Sequence, residues 1–285
     1  MEYFAVVVIY NKLIQNSASI TSLLKLEISN LHIIVIDNSL NEYVEQNSIS
    51  HKDLKLKYYS MYGNVGLSKA YNYVLNILKD KDSNDIVIWF DDDTPVSKLY
   101  FDELYKISEN LNYDVFVPII YGQNGVIYSP NKAGCLKGKY IKSANQKIPN
   151  NKFNAINSCL AVRLKVYKGY TYDENLFMDC VDTKLFDDFR KLNLRYYVLP
   201  VKIHQNFFQR SGNKNIQRYW NRFQIRIKDT MYYSSLGGFK RKVCGFIRII
   251  GWGVVYAIKL KSLSFFIKCI KQMKLNIKIT NEATK

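Results

Sequence analysis

The sequence predicts an α/β fold in which a Rossmann-like, mostly parallel sheet with flanking helices is followed by a basic, helical C-terminal extension. Strand-like and helix-like segments alternate four times within the first 111 residues, an order that favours parallel strands joined by crossover helices. The strand-like runs are continuously apolar, as expected for strands covered on both faces. Basic residues are concentrated near the C-terminal end, which distinguishes that part from the sheet.

The elements follow one another from the first residues onward. The predicted strands are Tyr3–Ile9, Leu31–Ile36, Leu56–Tyr59, Ile86–Phe90, Val115–Ile120, Ser158–Val162 and Arg195–Val201. The predicted helices are Ile20–Leu26, a helix after Gly66 that carries Ala70, Val74 and Leu78 at helical spacing, Leu99–Leu111, and a helix that ends near Leu192. The segment from Tyr121 to Asn151 is expected to be a loop.

Composition favours a folded globular protein in a reducing compartment. The chain has 285 residues, of which 48% are hydrophobic and 14% aromatic, and such values argue against disorder. Its five cysteines are scattered without a C-x-x-C pair, so free thiols are expected. The first residues lack the features of a signal peptide, and a cytoplasmic protein is therefore expected.

Charge separates two parts of the chain. Residues 209–285 hold 17 Lys or Arg against two acids, Asp229 and Glu282, a net charge of +15, whereas residues 1–208 carry +2. The shift predicts a boundary between 208 and 209, with a basic amphipathic helical region over 209–285. Such a region is typical of proteins that meet a polyanion, either nucleic acid or an acidic membrane.

Polar side chains follow the predicted strands where each strand ends. Asn11, Asp37, Asn64, Asp91 and Asp93 occupy these positions. Because ligands of open α/β sheets gather at the carboxyl ends of the strands, these residues are expected to share one binding rim.

The acidic turn Asp91–Asp93 is the most informative of these features. Carboxylates at i and i+2 after a buried strand can both face one point, and Asp91 and Asp93 have that spacing. Carboxylate oxygens suit Mg²⁺ or Mn²⁺, and a divalent ion would neutralise the charge on a leaving diphosphate. The alternative is a helix cap, since Asp-Thr-Pro is common at helix starts. Three adjacent acids repel one another, which favours a metal.

Other candidates have weaker signals. Asp179 and Asp182 stand at i and i+3 near a predicted helix start, where a carboxylate can act as a general base, although the helix dipole also favours acids there. His204 is a possible third metal ligand or an ordinary histidine. Asn64–Gly66 either presents backbone amides to a phosphate or forms a tight turn.

In their joint order these segments resemble the family-2 glycosyltransferases with the GT-A fold, especially bacterial rhamnosyl- and galactofuranosyltransferases of surface polysaccharide synthesis. The likeness covers roughly residues 3–205. The segments that carry it are Val6–Asn11, Ile34–Ser39, Asn64–Asn72, Trp89–Thr94 and Phe177–Asp182, followed by Arg190 and His204.

The resemblance implies a GT-A catalytic domain over residues 1–208, with a nucleotide-sugar-binding half at about 1–95 and an acceptor half at about 96–208. It implies that Asp91 and Asp93 bind Mn²⁺ or Mg²⁺ as a DxD pair, that His204 joins the metal, and that Asp179 deprotonates the acceptor hydroxyl. The implied donor-binding residues are Tyr10, Asn11, Asp37, Asn64, Gly66, Lys69, Asp91 and Asp92.

Two positions depart from the family pattern. Many relatives carry Glu-Asp where this chain has Met178-Asp179, so either Asp179 or Asp182 is the base. Cys159 replaces a glycine that is usual in the family, and this change bears on the acceptor side.

The basic tail suggests membrane contact. Val243–Ile258 is mostly apolar but has 16 residues, interrupted by Arg248 and three glycines, and is too short to span a bilayer. Lysines on both sides suit helices lying on an anionic membrane surface through residues 240–278, with Trp252, Phe265 and Phe266 as anchors. Alternatively, the apolar residues pack on the catalytic domain. The expected location is peripheral, at the inner face of the cell membrane.

The resemblance implies an inverting transfer of rhamnose, galactofuranose or another hexose from a UDP- or dTDP-sugar to a hydroxyl of a glycan acceptor, expected to be lipid-linked. A nucleotidyltransferase on the same sheet is the enzymatic alternative, and it would release pyrophosphate. A nucleic-acid-binding module built on the tail is the other alternative. It would leave the strand-end acids without a role, so nucleic acid is not an expected partner.

Overall fold

A computed structural model describes residues 1–135, 138–206 and 215–282 of the protein. The strands are β1 (Tyr3–Ile9), β2 (Leu31–Asp37), β3 (Lys57–Ser60), β4 (Ile86–Phe90), β5 (Val115–Gly122), β6 (Ile127–Ser129), β7 (Asn131–Lys132), β8 (Lys139–Tyr140), β9 (Phe153–Asn154), β10 (Leu160–Arg163) and β11 (Tyr196–Gln205). The α-helices are α1 (Ala18–Leu24), α2 (Asn41–Ser50), α3 (Leu67–Ile77), α4 (Lys98–Ser108), α5 (Val181–Lys191), α6 (Ile216–Ser235), α7 (Phe239–Lys259) and α8 (Leu263–Glu282).

The central sheet has eight strands, seven of them in the order β11-β5-β10-β4-β1-β2-β3, with β6 paired to β5. Strand β1 is parallel to β2 and β4, β2 is parallel to β3, and β5 is parallel to β11. Strand β10 runs antiparallel to both of its neighbours, β4 and β5. The predicted fold class, a mostly parallel sheet with flanking helices and a helical C-terminal region, is confirmed.

The sheet is covered on both faces, as the continuous apolar strands predict. In β1, Val6 packs into a cluster with α3 and α5, whereas the adjacent Val7 packs into a second cluster with α1 and α4. Both valines are fully buried. This two-sided burial fixes the strand ends, and with them the turns that form the rim.

Two parts of the domain differ from the sequence prediction. The predicted loop 121–151 contains β6, β7 and β8, and β7 pairs with β8 and β9 in a small second sheet. Helix α2 was not predicted because its buried residues are Val44 and Asn47, too few to form an apolar stripe.

The C-terminal helices α6, α7 and α8 share a core of their own. This core contains Phe223 of α6, Ile249 of α7 and Phe265 of α8, each of them buried. None of the helices in the described ranges has both the length and the hydropathy that a bilayer crossing requires. The predicted boundary at 208/209 falls within residues 207–214, outside the described residues.

Candidate active site

The acidic turn lies at the carboxyl end of β4, as predicted. Asp91 Oδ2 accepts a hydrogen bond from the Gln205 side-chain amide at the end of β11. Burial raises the pKa of Asp91 to about 6, and the charge of Asp93 adds to the rise. Asp92 is paired instead with Lys12, whose Nζ lies 2.7 Å from Asp92 Oδ2. Within the described ranges, neither Asp91 nor Asp93 has a cationic partner.

The turn is not a helix cap. Helix α4 begins after Ser97, several residues beyond the acids. The turn is held by the start of α1: Ser19 Oγ donates to the Thr94 carbonyl at 2.8 Å, and Ser17 Oγ donates to the Asp92 carbonyl at 2.8 Å. The capping alternative therefore does not account for the three acids.

Gln205, rather than His204, lies beside Asp91. Residues 199–205 of β11 alternate between buried and exposed positions, so His204 and Gln205 point to opposite faces. The His204 ring stacks on Tyr121, with the ring centroids 5.6 Å apart. The predicted set Asp91, Asp93 and His204 is therefore not assembled in this structure, because strand alternation turns the histidine away.

The rim offers oxygen donors suited to a hard divalent cation. The side-chain oxygen of Gln205 is buried and, among the described residues, has no hydrogen-bond partner. It adds an amide oxygen to the carboxylates of Asp91 and Asp93. The described ranges contain no group of three His, Cys, Asp or Glu that could hold a metal alone. Mg²⁺ commonly binds one or two carboxylates together with substrate phosphates, so the donor set fits such an ion.

Asp37 is fully buried at the end of β2. Its Oδ1 accepts from the Ser39 backbone N–H at 2.8 Å, and its Oδ2 accepts from Asn47 Nδ2 at 2.8 Å and from the Tyr58 hydroxyl at 2.7 Å. Ser39 Oγ in turn accepts from the Asn11 backbone N–H at 2.8 Å. Asp37 thus fixes the turn at this part of the rim, and its contact with a nucleotide stays a prediction.

The segment Asn64–Gly66 leads into α3 and contacts the loop before α5. Gly66 has a φ of +86°, and a Cβ there would lie 2.7 Å from a ring carbon of Phe177, so glycine is required. The Leu67 backbone N–H donates to the Phe177 carbonyl at 2.7 Å. This close approach joins the predicted donor-binding segment to residues 177–182. These residues carry the candidate bases Asp179 and Asp182 and are called the catalytic loop for that reason.

Three other predicted positions are open to solvent or half-buried. Tyr10 is 46% exposed, and Lys69 is exposed in the first turn of α3. Asn64 is half-buried, and its Oδ1 accepts from the Gly66 backbone N–H at 3.3 Å. Their roles in donor binding stay predictions.

The catalytic loop is clamped by Asp229 of α6, which is fully buried. Its carboxylate accepts backbone N–H bonds from Phe177 at 3.2 Å and from Met178 and Asp179 at 2.8 Å each. Cys180 follows with a φ of +65°, a conformation that non-glycine residues adopt mainly where the surroundings force it. The basic C-terminal region thus contributes directly to the geometry of the site.

Asp179 is held by two arginines of α6. Its carboxylate pairs with Arg222, and Arg226 Nε lies 3.2 Å from its Oδ1. Burial alone would raise the pKa of Asp179, but the charges of Arg222 and Arg226 outweigh burial and hold this pKa below its ordinary value. A carboxylate so stabilised in its ionised form is a poor proton acceptor.

Asp182 has the opposite environment. Burial raises the pKa of Asp182 to about 6, although the Thr183 backbone N–H, 2.7 Å from Asp182 Oδ1, opposes the rise. Asp182, Asp179 and Asp91 line one cavity of about 200 Å³, together with Tyr71 and Asn157. A second cavity of about 370 Å³ lies beside residues 164–171, and no acid is among its described lining residues. We therefore place the candidate active site at the cavity between Asp91 and Asp182.

Sequence reasoning missed four residues of this site. These are Gln205, Arg222, Arg226 and Asp229. Arg222 and Arg226 are spaced i, i+4 on one helix face, and Asp229 is one of two acids in a strongly basic segment. These two signals were present in the sequence. That α6 lies against the catalytic loop depends on tertiary packing and was not apparent.

The sheet, with β10 reversed between β4 and β5 and an acidic turn after β4, defines a protein of the GT-A fold. Residues 4–171 match the family model described as glycosyl transferase family 2. The chain belongs to this family. No curated protein matches the chain significantly in sequence.

Solved structures with a similar fold include one crystallised with UDP-GlcNAc and one crystallised with UDP, GalNAc and Mn²⁺. S. aureus TarS 1–349 aligns with a TM-score of 0.51 and 17% identity over 81% of this chain and 66% of that chain. The corresponding complex with UDP-GlcNAc aligns with a TM-score of 0.52 and 17% identity over 81% and 67% of the two chains. GalNAc-T7 with UDP, GalNAc and Mn²⁺ aligns with a TM-score of 0.56 and 13% identity over 94% and 56%. The present chain spans 40% of the longer TarS structure.

Proposed function

We propose that this protein is an inverting glycosyltransferase that moves a hexose from a nucleotide-diphosphate sugar to a hydroxyl of a glycan acceptor in surface polysaccharide synthesis. One observation carries the proposal: the cavity of about 200 Å³ has Asp91 of the rim, together with Asp179 and Asp182, in its lining. Direct displacement at a sugar carbon requires an acid that binds the metal of the donor and a carboxylate that accepts the proton of the acceptor. Both must lie in one cavity. Rhamnose and galactofuranose remain the proposed sugars, carried by UDP or dTDP.

On the donor side, Asp91, Asp93 and Gln205 would hold a Mn²⁺ or Mg²⁺ ion, with Asp92 paired to Lys12 beside them. Such an ion, when bound, supplies charge neutralisation at the diphosphate leaving group. The half-buried guanidinium of Arg222, ion-paired with Asp179, lies with Arg226 at the catalytic loop. The structures of TarS with UDP-GlcNAc and of GalNAc-T7 with UDP and Mn²⁺ support this type of donor.

On the acceptor side, Asp182 removes the proton of the attacking hydroxyl. Its raised pKa keeps it a useful proton acceptor near neutral pH, because a base works best when its pKa lies close to the working pH. Asp179 is a positioning residue, since its ion pairs hold Arg222 and Arg226 at the catalytic loop. Attack from the side of Asp182, opposite the diphosphate, inverts the anomeric carbon.

The pH dependence of transfer should report Asp182. With donor and Mn²⁺ saturating, bound Mn²⁺ keeps Asp91 ionised. The kcat/KM for the acceptor is then expected to rise with pH and level off above about 6, because Asp182 acts in its ionised form. Below that value the rate should fall about tenfold per pH unit. If Asp179 were the base, its lowered pKa would move the rise in rate to a pH well below this range. A pH profile that is flat from about pH 5 to 8 would therefore exclude Asp182 as the base.

Product analysis tests the proposal itself. Purified protein incubated with UDP- or dTDP-sugars and Mn²⁺ is expected to release a nucleoside diphosphate slowly, with water as the acceptor. Chromatography separates this product from pyrophosphate, which a nucleotidyltransferase would release. Pyrophosphate as the product, or no turnover with any activated sugar while the protein is folded, would overturn the assignment.

A further inference from the structure

Helix α7 has an apolar face that the described chain leaves largely exposed. Its outer stripe, defined here, consists of Phe239, Val243, Ile247, Ile250, Val254 and Ile258. These residues follow one another at intervals of three or four, so they lie on one side of the helix. Phe239, Ile247 and Ile258 are 82%, 65% and 73% exposed. Contiguous exposed apolar surface of this kind marks an interaction site.

The aromatic residues expected as membrane anchors pack in or beside the helical cluster. Phe265 is fully buried, and Phe266 packs beside Gly253. The Trp252 ring is covered by the guanidinium groups of Arg226 and Arg248, at 4.9 Å and 4.4 Å from the ring centroid. The sequence prediction for Phe265 was therefore wrong, because this ring packs between the helices. Trp252 is half-buried, and its role at a membrane stays a prediction. The outer stripe is what remains exposed.

The segment that carries the stripe is strongly basic, and Arg241 of α7 pairs with Asp187 of α5. From residue 230 to 281 the sequence contains no Asp or Glu. Lys240 and Lys242, in the first turn of α7, are exposed next to the stripe, and α8 adds exposed Lys268, Lys271 and Lys274. A second copy docked symmetrically on this face would bring these lysines against one another, which disfavours a homodimer. An anionic surface is the complementary partner.

We propose that the outer stripe of α7 lies in the interfacial region of an anionic lipid bilayer, with the lysines against lipid phosphates. The helix would lie parallel to the membrane plane, as amphipathic basic helices do. The opposite side of α7 carries Arg248 and Trp252, which adjoin Arg226 and the catalytic loop. Docking would therefore bring the active site close to the bilayer, where a lipid-linked acceptor resides. The membrane contact itself does not depend on the proposed transferase activity.

Flotation of the full-length protein with vesicles tests this docking. We expect binding to vesicles of phosphatidylcholine with phosphatidylglycerol and little binding to phosphatidylcholine alone. The double variant I247E/I258E should bind at least about tenfold more weakly, because two charges enter the apolar stripe. The matched control is I49E, which changes an isoleucine 71% exposed on α2 and should bind like the wild type.

Any of the following results would contradict the proposal. Equal binding to both vesicle types, or unchanged binding of I247E/I258E, would exclude docking through the stripe and its lysines. A wild-type dimer that I247E/I258E converts to a monomer would show that a second copy covers the face. Circular dichroism checks that the variants are folded. Donor hydrolysis measured without vesicles should be equal in all three proteins, so failure of docking and failure of the proposed activity are distinguishable.

Discussion

Replacing Asp182 with asparagine should lower sugar transfer by about 10²–10⁴-fold, the range expected for loss of a general base. Asparagine has nearly the same shape, and the Thr183 backbone N–H can still donate to its side-chain oxygen, so α5 should begin unchanged. Donor affinity should stay within about twofold, because the acidic turn of β4 is untouched. The measurement is kcat for transfer, together with donor binding by calorimetry in the presence of Mn²⁺.

Two matched variants on the same segment give the control. Asp188→Asn removes a carboxylate of α5 that pairs with Lys184 and Lys191 at the surface, and it should leave turnover nearly unchanged. Asp179→Asn removes the ion pairs that hold Arg222 and Arg226, so it should alter the KM for the donor. The rise of the rate with pH should still be centred near 6. If Asp179→Asn instead abolished transfer with donor binding intact, and Asp182→Asn remained active, Asp179 would be the base.

The fold could be predicted from the sequence because its signals are local. The apolar runs of β1, β2 and β4 are buried on both faces, and such strands stand out against the polar turns that follow them. The acidic turn is equally visible because it directly follows β4. Strands β7 and β8 have two residues each, too few for any periodicity to show. Helix α2 lacks an apolar stripe for a similar reason.

The site was predicted less completely because its missing parts come together through tertiary packing. Gln205 and His204 differ by one position, and strand alternation alone decides which of them faces Asp91. The choice between Asp179 and Asp182 depends on Arg222 and Arg226, which lie more than 40 residues further along the chain. No local pattern contains this information. The charge shift at residue 209 suggested a separate tail, whereas α6 of that tail holds the catalytic loop.

Replacing Asp91 with asparagine should strongly reduce metal-dependent turnover and at the same time stabilise the fold. A folded-state pKa raised from 3.8 to about 6 means that stability is lost as pH rises through this window, so ionised Asp91 destabilises the protein at pH 7. Removing that charge should add about 1–2 kcal/mol to the free energy of unfolding. A rise in Tm of about 2–6 °C is expected. Turnover should fall about 10²–10³-fold, since the leaving diphosphate loses charge neutralisation.

Asp114→Asn is the control with the opposite sign. Burial would raise the pKa of Asp114, but Lys165, 2.8 Å away, and Arg195 lower it below its ordinary value, so ionised Asp114 stabilises the fold at pH 7. Its replacement should lower Tm and leave turnover unchanged.

Adding Mn²⁺ should raise the Tm of the wild type and of Asp114→Asn, but not of Asp91→Asn, because a ligand stabilises only the state that binds it. Wild-type turnover in Asp91→Asn, or an equal Mn²⁺ shift in all three proteins, would remove Asp91 from the metal site. A stabilised but inactive Asp91→Asn variant would instead mean that this acid is kept for its chemistry at a cost in stability.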